Sequence, residues 1–368
     1  MKIKIKYFNF FKHPLLGISF FNWFKVLYNV RFKFNILFIP KIIFITIISL
    51  LNVPFHFFEF LFYSKKIKRQ VVKSPIFILG HFRSGTTLLH YLLTKDKQFT
   101  YCSVYDALLP NISLIGGRLL KYLIALSLPS KRPQDNVEIS INSPKEEEFA
   151  MANMSQYSYM FSFYFPKNAY NVLSNCVLFD GGGASYWKDK LDFFIKKLTM
   201  KSNGKRIVLK SPANTARVKE ILDLYPDAKF IHITRHPYDV YSSTIRLYEK
   251  IIPITSFQNV DVNYISNYIL KSYRLIYEKY INDIKFLKSN QLVQISFDDL
   301  EQEPLLVIKK IYKELDIKGI DSLELNLKKE IKEISKYKKN KYKPLGSLIK
   351  KKIQKEWGGV AEKIGLEL

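Results

Sequence analysis

Cysteine is scarce in this sequence, with only Cys102 and Cys176 among 368 residues. Two widely separated cysteines exclude a dense disulfide framework and offer no metal-ligand spacing. We therefore expect a reducing, cytoplasmic compartment and no bound metal. Apolar residues, in contrast, are plentiful, since 48% of the chain is hydrophobic and 15% is aromatic. This composition predicts a large core with extensions rather than a disordered chain.

Acidic residues are also few, with 32 Asp and Glu against 58 Lys and Arg and a formal net charge of +26. Such an excess of positive charge suits an anionic ligand, an anionic membrane surface or nucleic acid. No RNA-binding or helix-turn-helix pattern accompanies it, so we predict no nucleic-acid partner. Ile, Lys, Asn, Phe and Tyr are abundant throughout, and AT-rich coding would account for part of the charge. The composition leaves the oligomeric state open.

Charged residues are almost absent from Phe34 to Tyr63, where Lys41 and Glu59 are the only ones. Basic residues flank this segment, which lies too far along the chain for a cleaved signal peptide. Its uninterrupted part, 42–58, is near the lower limit of about 17 to 25 residues for a transmembrane helix, and Pro54 falls inside it. Two interpretations are favoured equally: a helix in or on the membrane surface, and a helix packed on the main domain. A helix that spans the membrane is the third.

Strand and helix patterns alternate from residue 75 onward. "PIFILG" at 75–80 predicts a buried strand, and an apolar helical face begins at Thr86. The strand "RIVLKSP" at 206–212, the helix at 214–226 and the strand "AKFIHI" at 228–233 form a βαβ unit. We therefore predict an α/β fold with a parallel central sheet, helices on both faces and a hydrophobic N-terminal helical extension.

The second half of the chain continues this pattern and ends in a basic tail. An amphipathic helix is predicted at 264–290 and a strand at 292–297. Residues 334–352 are lysine-rich and predict a flap, and 353–368 predict a closing helix. The predicted regions are a hydrophobic, basic-flanked helical region at 1–70, the main domain at 71–333, and the flap with its closing helix at 334–368.

The loop "GHFRSGTT", from Gly80 to Thr87, joins a strand end to a helix N-terminus. Unpaired backbone N–H groups and the positive end of the helix dipole favour a phosphate or sulfate there. Gly85 lets the backbone approach such an anion closely. The loop also carries three hydroxyl groups, on Ser84, Thr86 and Thr87. We predict an anion cradle, although some strand-glycine-helix junctions bind nothing.

This loop departs from the Walker A pattern at its lysine. Gly80 and Gly85 have the spacing of G-x-x-x-x-G-K-[ST], but Thr86 stands where the lysine should be, and Arg83 supplies a cation instead. Thr87 takes the position of the magnesium-binding hydroxyl, yet no Walker B acidic strand end is evident. The loop therefore suits an anion without magnesium. A P-loop kinase and a membrane-surface protein with an inactive site remain alternatives.

A second motif, "TRHPYDVYSS", places Arg235 at a strand end and Ser243 eight residues later. If Pro237 starts the next helix, Ser243 falls on its second turn and points back toward a ligand beside Arg235. A guanidinium group with a hydroxyl suits a second phosphate. Alone, Arg235 would equally suit a helix cap or a surface ion pair.

Three stretches together resemble the sulfotransferases that use 3′-phosphoadenosine 5′-phosphosulfate (PAPS). "PIFILGHFRSGTTLL" at 75–89 resembles their 5′-phosphosulfate loop, and "RHPYDVYSS" at 235–243 is similar to their 3′-phosphate motif. "VQISFDDLEQEPLLVIKKIYKEL" at 293–315 looks like the segment after their last strand. The match covers about residues 75–315, with weaker support around the C-terminal tryptophan, and the order and joint spacing of the stretches are specific.

The loop looks closest to the bacterial and Golgi-like branch, which reads P-R-S-G-T-T, although His81 and Phe82 precede Arg83 where that branch often has a proline. The resemblance implies a P-loop-like strand-loop-helix phosphosulfate site, a sulfotransferase domain at 71–333, and PAPS as co-substrate without a metal. The implied donor-binding residues are Arg83, Ser84, Gly85, Thr86 and Thr87 at the 5′ end and Arg235 and Ser243 at the 3′-phosphate.

Two cations are implied in the chemistry. Sulfuryl transfer depends on positioning, on charge neutralisation and on removal of the acceptor's proton. Arg83 takes the place of the catalytic lysine of cytosolic relatives and, being permanently charged, would stabilise the leaving phosphate without acting as an acid. Lys210 aligns with the lysine of the family's K-T-H stretch and would touch the transferred group, although a solvated strand-end lysine is the alternative.

The general base is not the histidine of cytosolic relatives, because Pro212 stands in its position. The Golgi-type branch uses a glutamate, and "SPKEEEFA" offers three in succession, of which Glu146 or Glu148 is the predicted base. Glutamates in a first helical turn also stabilise the helix dipole, which accounts for at least one of the three. Asp106 is the reserve candidate.

The predicted acceptor is a lipid or sterol-like hydroxyl, with a glycan as the main competitor. Residues 149–166 are dense in Met, Phe and Tyr, which fits either an apolar acceptor pocket or ordinary core. The apolar segment at 34–63 favours the lipid and predicts possible contact with a membrane surface. We expect a cytoplasmic enzyme, peripheral to or anchored at the inner membrane face.

Overall fold

The computed structural model describes residues 13–128, 138–334 and 344–368. Among these residues the strands are β1 (Ile76–Leu79), β2 (Phe99–Tyr101), β3 (Arg206–Lys210), β4 (Lys229–Thr234) and β5 (Leu292–Ser296). The helices are α1 (Phe20–Asn29), α2 (Ile39–Leu51), α3 (Val53–Lys68), α4 (Thr86–Leu93), α5 (Val104–Leu108), α6 (Gly117–Ser127), α7 (Glu147–Met154), α8 (Phe161–Tyr164), α9 (Ala169–Val172), α10 (Ala184–Lys201), α11 (Val218–Leu224), α12 (Pro237–Thr255), α13 (Val262–Asp283), α14 (Phe297–Gln302), α15 (Pro304–Glu314), α16 (Ile320–Ile334) and α17 (Ser347–Lys363).

The chain forms two compact units, each built from separate segments. The first unit comprises the residues up to Val71 together with 102–201 and 245–268. The second unit comprises 72–101, 202–244 and 269–368. Helices α12 and α13 each have residues in both units.

The second unit contains the sheet, whose strand order is β2-β3-β1-β4-β5 and whose neighbours are all parallel. The predicted parallel α/β fold is confirmed, including the four strands β1, β3, β4 and β5. Strand β2 has only three residues at a sheet edge, too short for a hydrophobic period, and the sequence did not indicate it. Because the strands run the same way, their carboxyl ends meet at one edge, where ligands bind in such sheets.

One apolar core holds the sheet to its helices. It joins β1, β4 and β5 to α4 and α15 through side chains that include Ile76, Ile78, Leu89, Leu92, Ile231, Ile233, Ile308 and Ile311. Strands buried on both faces read as continuous apolar runs, which is why the sequence predicted them. This core fixes the β1–α4 junction against β4.

The first unit contains the apolar N-terminal helices. Residues Ile36–Lys68 are long and apolar enough to cross a membrane by length and composition, and 28% of their most apolar stretch is buried. Within this stretch, Glu59 and Lys197 of α10 form a buried ion pair. The segment therefore carries one protein-facing side and one exposed side.

The C-terminal region begins as helix earlier than the sequence indicated. Helix α17 starts at Ser347, six residues before the predicted start at 353. The centre of the predicted flap, 335–343, lies outside the described residues. The helix predicted at 264–290 is α13, which ends at Asp283 and is followed by a 3₁₀ turn at Ile284–Phe286.

Candidate active site

The loop after β1 begins at a position that only glycine fits. Gly80 has a φ of 137°, and a Cβ there would lie 2.6 Å from the carbonyl oxygen of Ile233 on β4. Its N–H donates to Thr215 Oγ1 at 2.8 Å. The chain therefore leaves the sheet pressed against β4 and held to the segment after β3.

The next turn is closed by Ser84. Its N–H and its hydroxyl both donate to the carbonyl oxygen of His81, at 3.2 and 2.8 Å. Arg83 lies within the turn between His81 and Ser84 and has a φ of 72°, a left-handed conformation that is uncommon for residues other than glycine. The Ser84 hydroxyl, expected to face an anion, thus also stabilises the turn that presents Arg83.

Helix α4 starts directly after this turn. Gly85, at its N-terminus, has a φ of 100°, and a Cβ there would lie 2.2 Å from Cδ2 of Phe297. Thr86 is buried and Thr87 is half-buried in the first turn. The first N–H groups of a helix have no partner within the helix, so this end attracts an anion.

The two motifs that the sequence singled out meet at Arg83. Arg83 Nε donates to Ser243 Oγ at 2.9 Å, and Arg235 Nη1 donates to the carbonyl oxygen of Arg83 at 3.3 Å. Helix α12 begins at Pro237, so Ser243 lies on its second turn, as predicted. Residues 160 positions apart in the chain therefore form one cluster of two guanidinium groups and a hydroxyl.

Phe297 supports this cluster, and the sequence analysis missed it. The Arg235 guanidinium lies over its ring, 4.4 Å from the centroid, and Arg235 Nη2 is 3.6 Å from Oδ2 of Asp239. A cation above an aromatic face is stabilised by the ring's electron density. The signal was available, because Phe297 directly follows β5 and so lies at the same edge of the sheet as the loop.

Lys210 ends β3, the strand beside β1, where it pairs in register with Ile78. It is buried, and burial of His90 on α4, together with the charge of Lys210, lowers the pKa of His90 to about 3. A 3₁₀ turn begins at Pro212, the position of the histidine base in cytosolic relatives. Lys210 therefore lies at the carboxyl edge of the sheet, as the sequence predicted for a strand-end cation.

Helix α17 packs behind the loop. Trp357 stacks on Tyr273 with 3.8 Å between ring centroids, and its Nε1 donates to the carbonyl oxygen of Leu270 at 2.9 Å. The His81 ring lies 4.9 Å from the Tyr273 ring. Burial lowers the pKa of His81 to about 4, so its ring is neutral at pH 7. The tryptophan segment of the sequence is thus part of the layer that supports the loop.

The predicted carboxylates lie in the first unit, at the start of α7. Glu146 occupies its N-cap, and Glu147 and Glu148 follow in the first turn. Glu148 Oε1 accepts hydrogen bonds from Ser158 Oγ at 3.0 Å and from the Tyr159 N–H at 2.6 Å.

Their electrostatic effects separate these glutamates. Burial and the charges of Glu146 and Glu148 raise the pKa of the Tyr164 phenol. Burial, Asp106 and Glu147 raise the pKa of the Cys102 thiol. Glu147 therefore acts on the Cys102 side, and the two predicted bases act on the Tyr164 side.

Asp106, the reserve base, is held in a structural arrangement. It accepts from Ser103 Oγ at 2.6 Å, while Ser103 Oγ accepts the Asp106 N–H at 3.2 Å and caps α5. It also forms an ion pair with Lys201 of α10. A carboxylate paired with a lysine and a hydroxyl in this way stabilises its own helix.

The donor set at the sheet edge suits an anion rather than a metal. It comprises Arg83, Arg235, Ser243, Lys210 and the N-terminus of α4. Within residues 13–128, 138–334 and 344–368, no group of three or more His, Cys, Asp or Glu side chains is arranged to hold a metal ion. Three cationic side chains at one edge favour an anionic ligand, and each guanidinium group can make two hydrogen bonds to a phosphate or sulfate.

Comparison with known proteins gives the same family along most of the chain. The sequence model of the sulfotransferase family matches residues 75–321. The chain is 26% identical over 355 residues to the omega-hydroxy-beta-dihydromenaquinone-9 sulfotransferase Stf3 of Mycobacterium bovis, covering 96% of this chain and 91% of that protein. The Stf3 of Mycobacterium tuberculosis matches with the same identity and coverage.

Solved structures agree in fold. Sulfotransferase STF1 of Mycobacterium tuberculosis H37Rv matches with a TM-score of 0.68 at 16% identity, covering 92% of this chain and 93% of that one. Sulfotransferase STF9 of Mycobacterium avium matches with a TM-score of 0.66 at 14% identity, covering 85% of this chain and 82% of that one. The fold is therefore that of these mycobacterial proteins.

Proposed function

The chain belongs to the sulfotransferase family and is a sulfotransferase, and we propose that it transfers a sulfuryl group from PAPS to a hydroxyl of a lipid-like acceptor. The contact between the two motifs is the observation that carries the donor assignment. Arg83 Nε bonds Ser243 Oγ, and Arg235 bonds the carbonyl oxygen of Arg83. A P-loop kinase would need a lysine at position 86 and an acidic magnesium site.

The residues at the sheet edge fit PAPS because they offer cations for both ends of an anionic nucleotide. Arg83 and residues 84–87 at the start of α4 would hold the 5′ end. Arg235 and Ser243 would hold the 3′-phosphate, with the Arg235 guanidinium kept in place by the Phe297 ring. A planar guanidinium can make two parallel hydrogen bonds to a phosphate, which adds geometric selectivity to the charge.

The chemistry assigned to the chain's residues is charge stabilisation and proton removal. Bound PAPS would supply the sulfuryl group, whose sulfur bonds to the acceptor oxygen as its bond to the phosphate oxygen breaks. Arg83 stabilises the negative charge that develops on that phosphate oxygen and keeps its own proton. Lys210 offsets charge on the transferred group, and the burial of this lysine strengthens the interaction.

The proton of the acceptor hydroxyl goes to a carboxylate in this proposal. Glu146 or Glu148 takes it as the acceptor oxygen attacks. The bonds that Glu148 Oε1 accepts from Ser158 and Tyr159 fix one oxygen and orient the carboxylate.

A lipid-like acceptor is supported by the relatives and by the apolar first unit. The curated relatives are named for sulfation of an omega-hydroxylated dihydromenaquinone. The apolar stretch Ile36–Lys68 would bring the enzyme to a membrane surface, with residues 34–63 as the contact and the inner face as the location. A glycan acceptor is the outcome that would replace this part of the proposal.

Calorimetric titration with adenosine 3′,5′-bisphosphate tests the donor site. We expect saturable binding without magnesium, and weaker binding of ADP with magnesium, because the site offers three cationic side chains and the loop at 80–87 contains no carboxylate to hold the metal. Binding of magnesium-ADP alone would refute PAPS as the donor.

Arg235→Ala tests the 3′-phosphate assignment. Hydrogen bonds to charged groups contribute about 1.5–3 kcal/mol, so the variant should bind the bisphosphate about tenfold to a hundredfold more weakly. Arg274→Ala is the matched control, because Arg274 is a half-buried arginine of the same unit that pairs with Glu278 and Glu356 instead of contacting the loop. Unchanged affinity in Arg235→Ala would contradict the assignment.

A further inference from the structure

The first unit exposes far more apolar surface than its fold requires. Helices α2 and α3 have an outer apolar face, formed by Ile43, Ile47, Leu50, Leu51, Phe55, Phe57, Phe58, Phe60, Leu61 and Phe62. Helix α6 exposes a second set, Leu119, Tyr122, Leu123 and Leu126, which we call the α6 stripe. An exposed apolar patch of this extent marks an interaction surface.

The opposite side of α2 and of the first part of α3 is attached to the rest of the unit by hydrogen bonds. Lys41 Nζ donates to the carbonyl oxygen of Ile254 at 2.9 Å, and Trp23 Nε1 donates to Thr46 Oγ1 at 2.9 Å. Further on, Asn52 Nδ2 donates to the carbonyl oxygen of Leu16 at 3.1 Å.

Glu59 continues this attachment into α3. It forms the buried pair with Lys197, and it accepts the Leu114 N–H at 2.7 Å. From residue 41 to residue 59 a helix rises about 27 Å, nearly the thickness of a bilayer core. A spanning orientation would break these bonds and expose Glu59 to lipid.

The α6 stripe is tied to the same helices. Glu59 Oε2 accepts N–H groups of Leu114 and Ile115, and α6 begins two residues later, at Gly117. The stripe residues are spaced at i, i+3, i+4 and i+7, so they lie on one side of α6.

The charges beside these surfaces match an anionic bilayer. Lys65, Lys66, Lys68 and Arg69 are exposed at the end of α3, and Arg118 is exposed at the start of α6. Glu59 is the only acidic residue among the first 71, and it is buried. Exposed lysine and arginine beside an apolar face are the pattern of a helix that lies in the headgroup region.

We infer that the protein binds an anionic bilayer sideways: the outer faces of α2 and α3 lie in the plane of the membrane and the α6 stripe forms a second contact, with no segment among them crossing. This rests on the proposed membrane contact and adds its orientation and its second helix. In this orientation the enzyme would meet lipid acceptors at the membrane surface, so the acceptors would not have to leave the bilayer completely.

Flotation with vesicles tests the second contact. The full-length protein should float with phosphatidylglycerol-phosphatidylcholine vesicles and much less with pure phosphatidylcholine. Leu119→Glu with Leu126→Glu should lower the bound fraction at least about tenfold, because both side chains are exposed and apolar. The matched control is Leu306→Glu with Leu348→Glu, two exposed leucines of the second unit. Equal flotation of the two double variants would overturn the role of α6.

Spin labels on cysteines introduced at Ile43, Leu51 and Phe62 test the orientation. These exposed positions lie near the start, at the middle and near the end of the two helices. Equal shallow depths, measured by oxygen and nickel accessibility, are expected for helices in the membrane plane. A deep Leu51 label between two shallow ones would show a span and overturn the inference.

Two readouts separate this inference from the proposed chemistry. Bisphosphate affinity should be the same in the α6 variants as in the wild type. If the wild-type protein does not bind the bisphosphate, the donor site is refuted, and the flotation result is unaffected. Light scattering without lipid tests the competing occupant, a second copy of the chain. A dimer that the α6 variants disperse, with no flotation of the wild type, would overturn membrane binding.

Discussion

Arg83 holds the candidate donor site together at the scale of single residues. It combines a left-handed backbone, a side-chain bond to Ser243 and a carbonyl that accepts from Arg235. A non-glycine residue in that conformation costs of order 1–3 kcal/mol, and such strain is common at functional sites. The turn closed by Ser84 maintains it.

Replacement of the glutamates at the start of α7 tests the base. We expect Glu146→Gln or Glu148→Gln to lower turnover about a hundredfold or more, because a general base contributes that much, while bisphosphate affinity stays unchanged. Turnover is measured as sulfuryl transfer to a panel of hydroxyl acceptors, and bisphosphate affinity is measured by calorimetry. Glu147→Gln is the neighbouring control, since its carboxylate acts on Cys102. Full activity of both first variants would move the base to Asp106 or elsewhere.

Much of this residue-level picture followed from the sequence. The position of Ser243 on the second turn of α12 was predictable, because Pro237 marks the start of the helix and Ser243 follows it by six residues. The contact between Arg83 and Ser243 was not, because 160 residues separate them. Phe297 was missed because an aromatic residue after an apolar strand looks like core. The sequence assigned the Ser84 hydroxyl to an anion, and its bond to His81 depends on the turn geometry.

At the scale of elements, α4 and α14 meet at Gly85. A methyl group on Gly85 would collide with Phe297, the ring that carries the Arg235 guanidinium. We expect Gly85→Ala to destabilise the fold by about 1–3 kcal/mol and to weaken bisphosphate binding by displacing Arg235. Urea unfolding and calorimetry measure these effects.

Gly204→Ala is the matched control for Gly85→Ala. Gly204 also has a left-handed backbone, with a φ of 83°, but nothing lies within 4 Å of a Cβ placed there. It should reproduce the backbone cost and leave ligand affinity intact. Equal losses of affinity in the two variants would mean that the collision with Phe297 is unimportant.

Helices and strands were predictable where the sequence shows a clear hydrophobic periodicity or a continuous apolar run. Four of the strands and the helix α13 were identified because buried strands and amphipathic helices have distinct patterns. Strand β2 escaped because three residues show no period. Helix α17 was expected at 353, since its lysine-rich first turns resembled a solvated tail, yet the structure begins it at Ser347.

At the scale of the whole molecule, buried histidines set the response to acid. Burial lowers the pKa of His81 to about 4 and the pKa values of His90 and His232 to about 3. Unfolding returns each ring to water, where its pKa is near 6.5. Below that pH the unfolded state binds protons that the folded state does not, so the free energy of unfolding falls. Above pH 6.5 these rings contribute no pH dependence.

Urea midpoints between pH 8 and pH 4.5 should therefore drop below about pH 6.5. His232→Phe should reduce the slope, because neither ring nitrogen of His232 has a hydrogen-bond partner among the described residues. His236→Gln, at an exposed position, should leave the slope unchanged. A flat profile in the wild type would contradict this account.

The arrangement of the whole chain was the least predictable level. The division at 70 and 333 follows chain order and remains a prediction, whereas each compact unit joins segments that are far apart in sequence. Composition detects a boundary where hydropathy changes, as it does near residue 71. It does not detect which distant segments pack together, because that depends on side-chain contacts across more than a hundred residues.

The pairing of Glu59 with Lys197 also has a consequence during synthesis. Glu59 is synthesised 138 residues before Lys197, so its carboxylate has no lysine partner when insertion machinery first meets the segment. A charged side chain opposes transfer of a nascent helix into lipid. Replacing Glu59 by leucine should raise insertion of this segment in microsomes, and equal insertion of both forms would contradict the argument. One acidic side chain thus opposes insertion of the apolar segment during synthesis, before the lysine that pairs with it in the folded protein has been made.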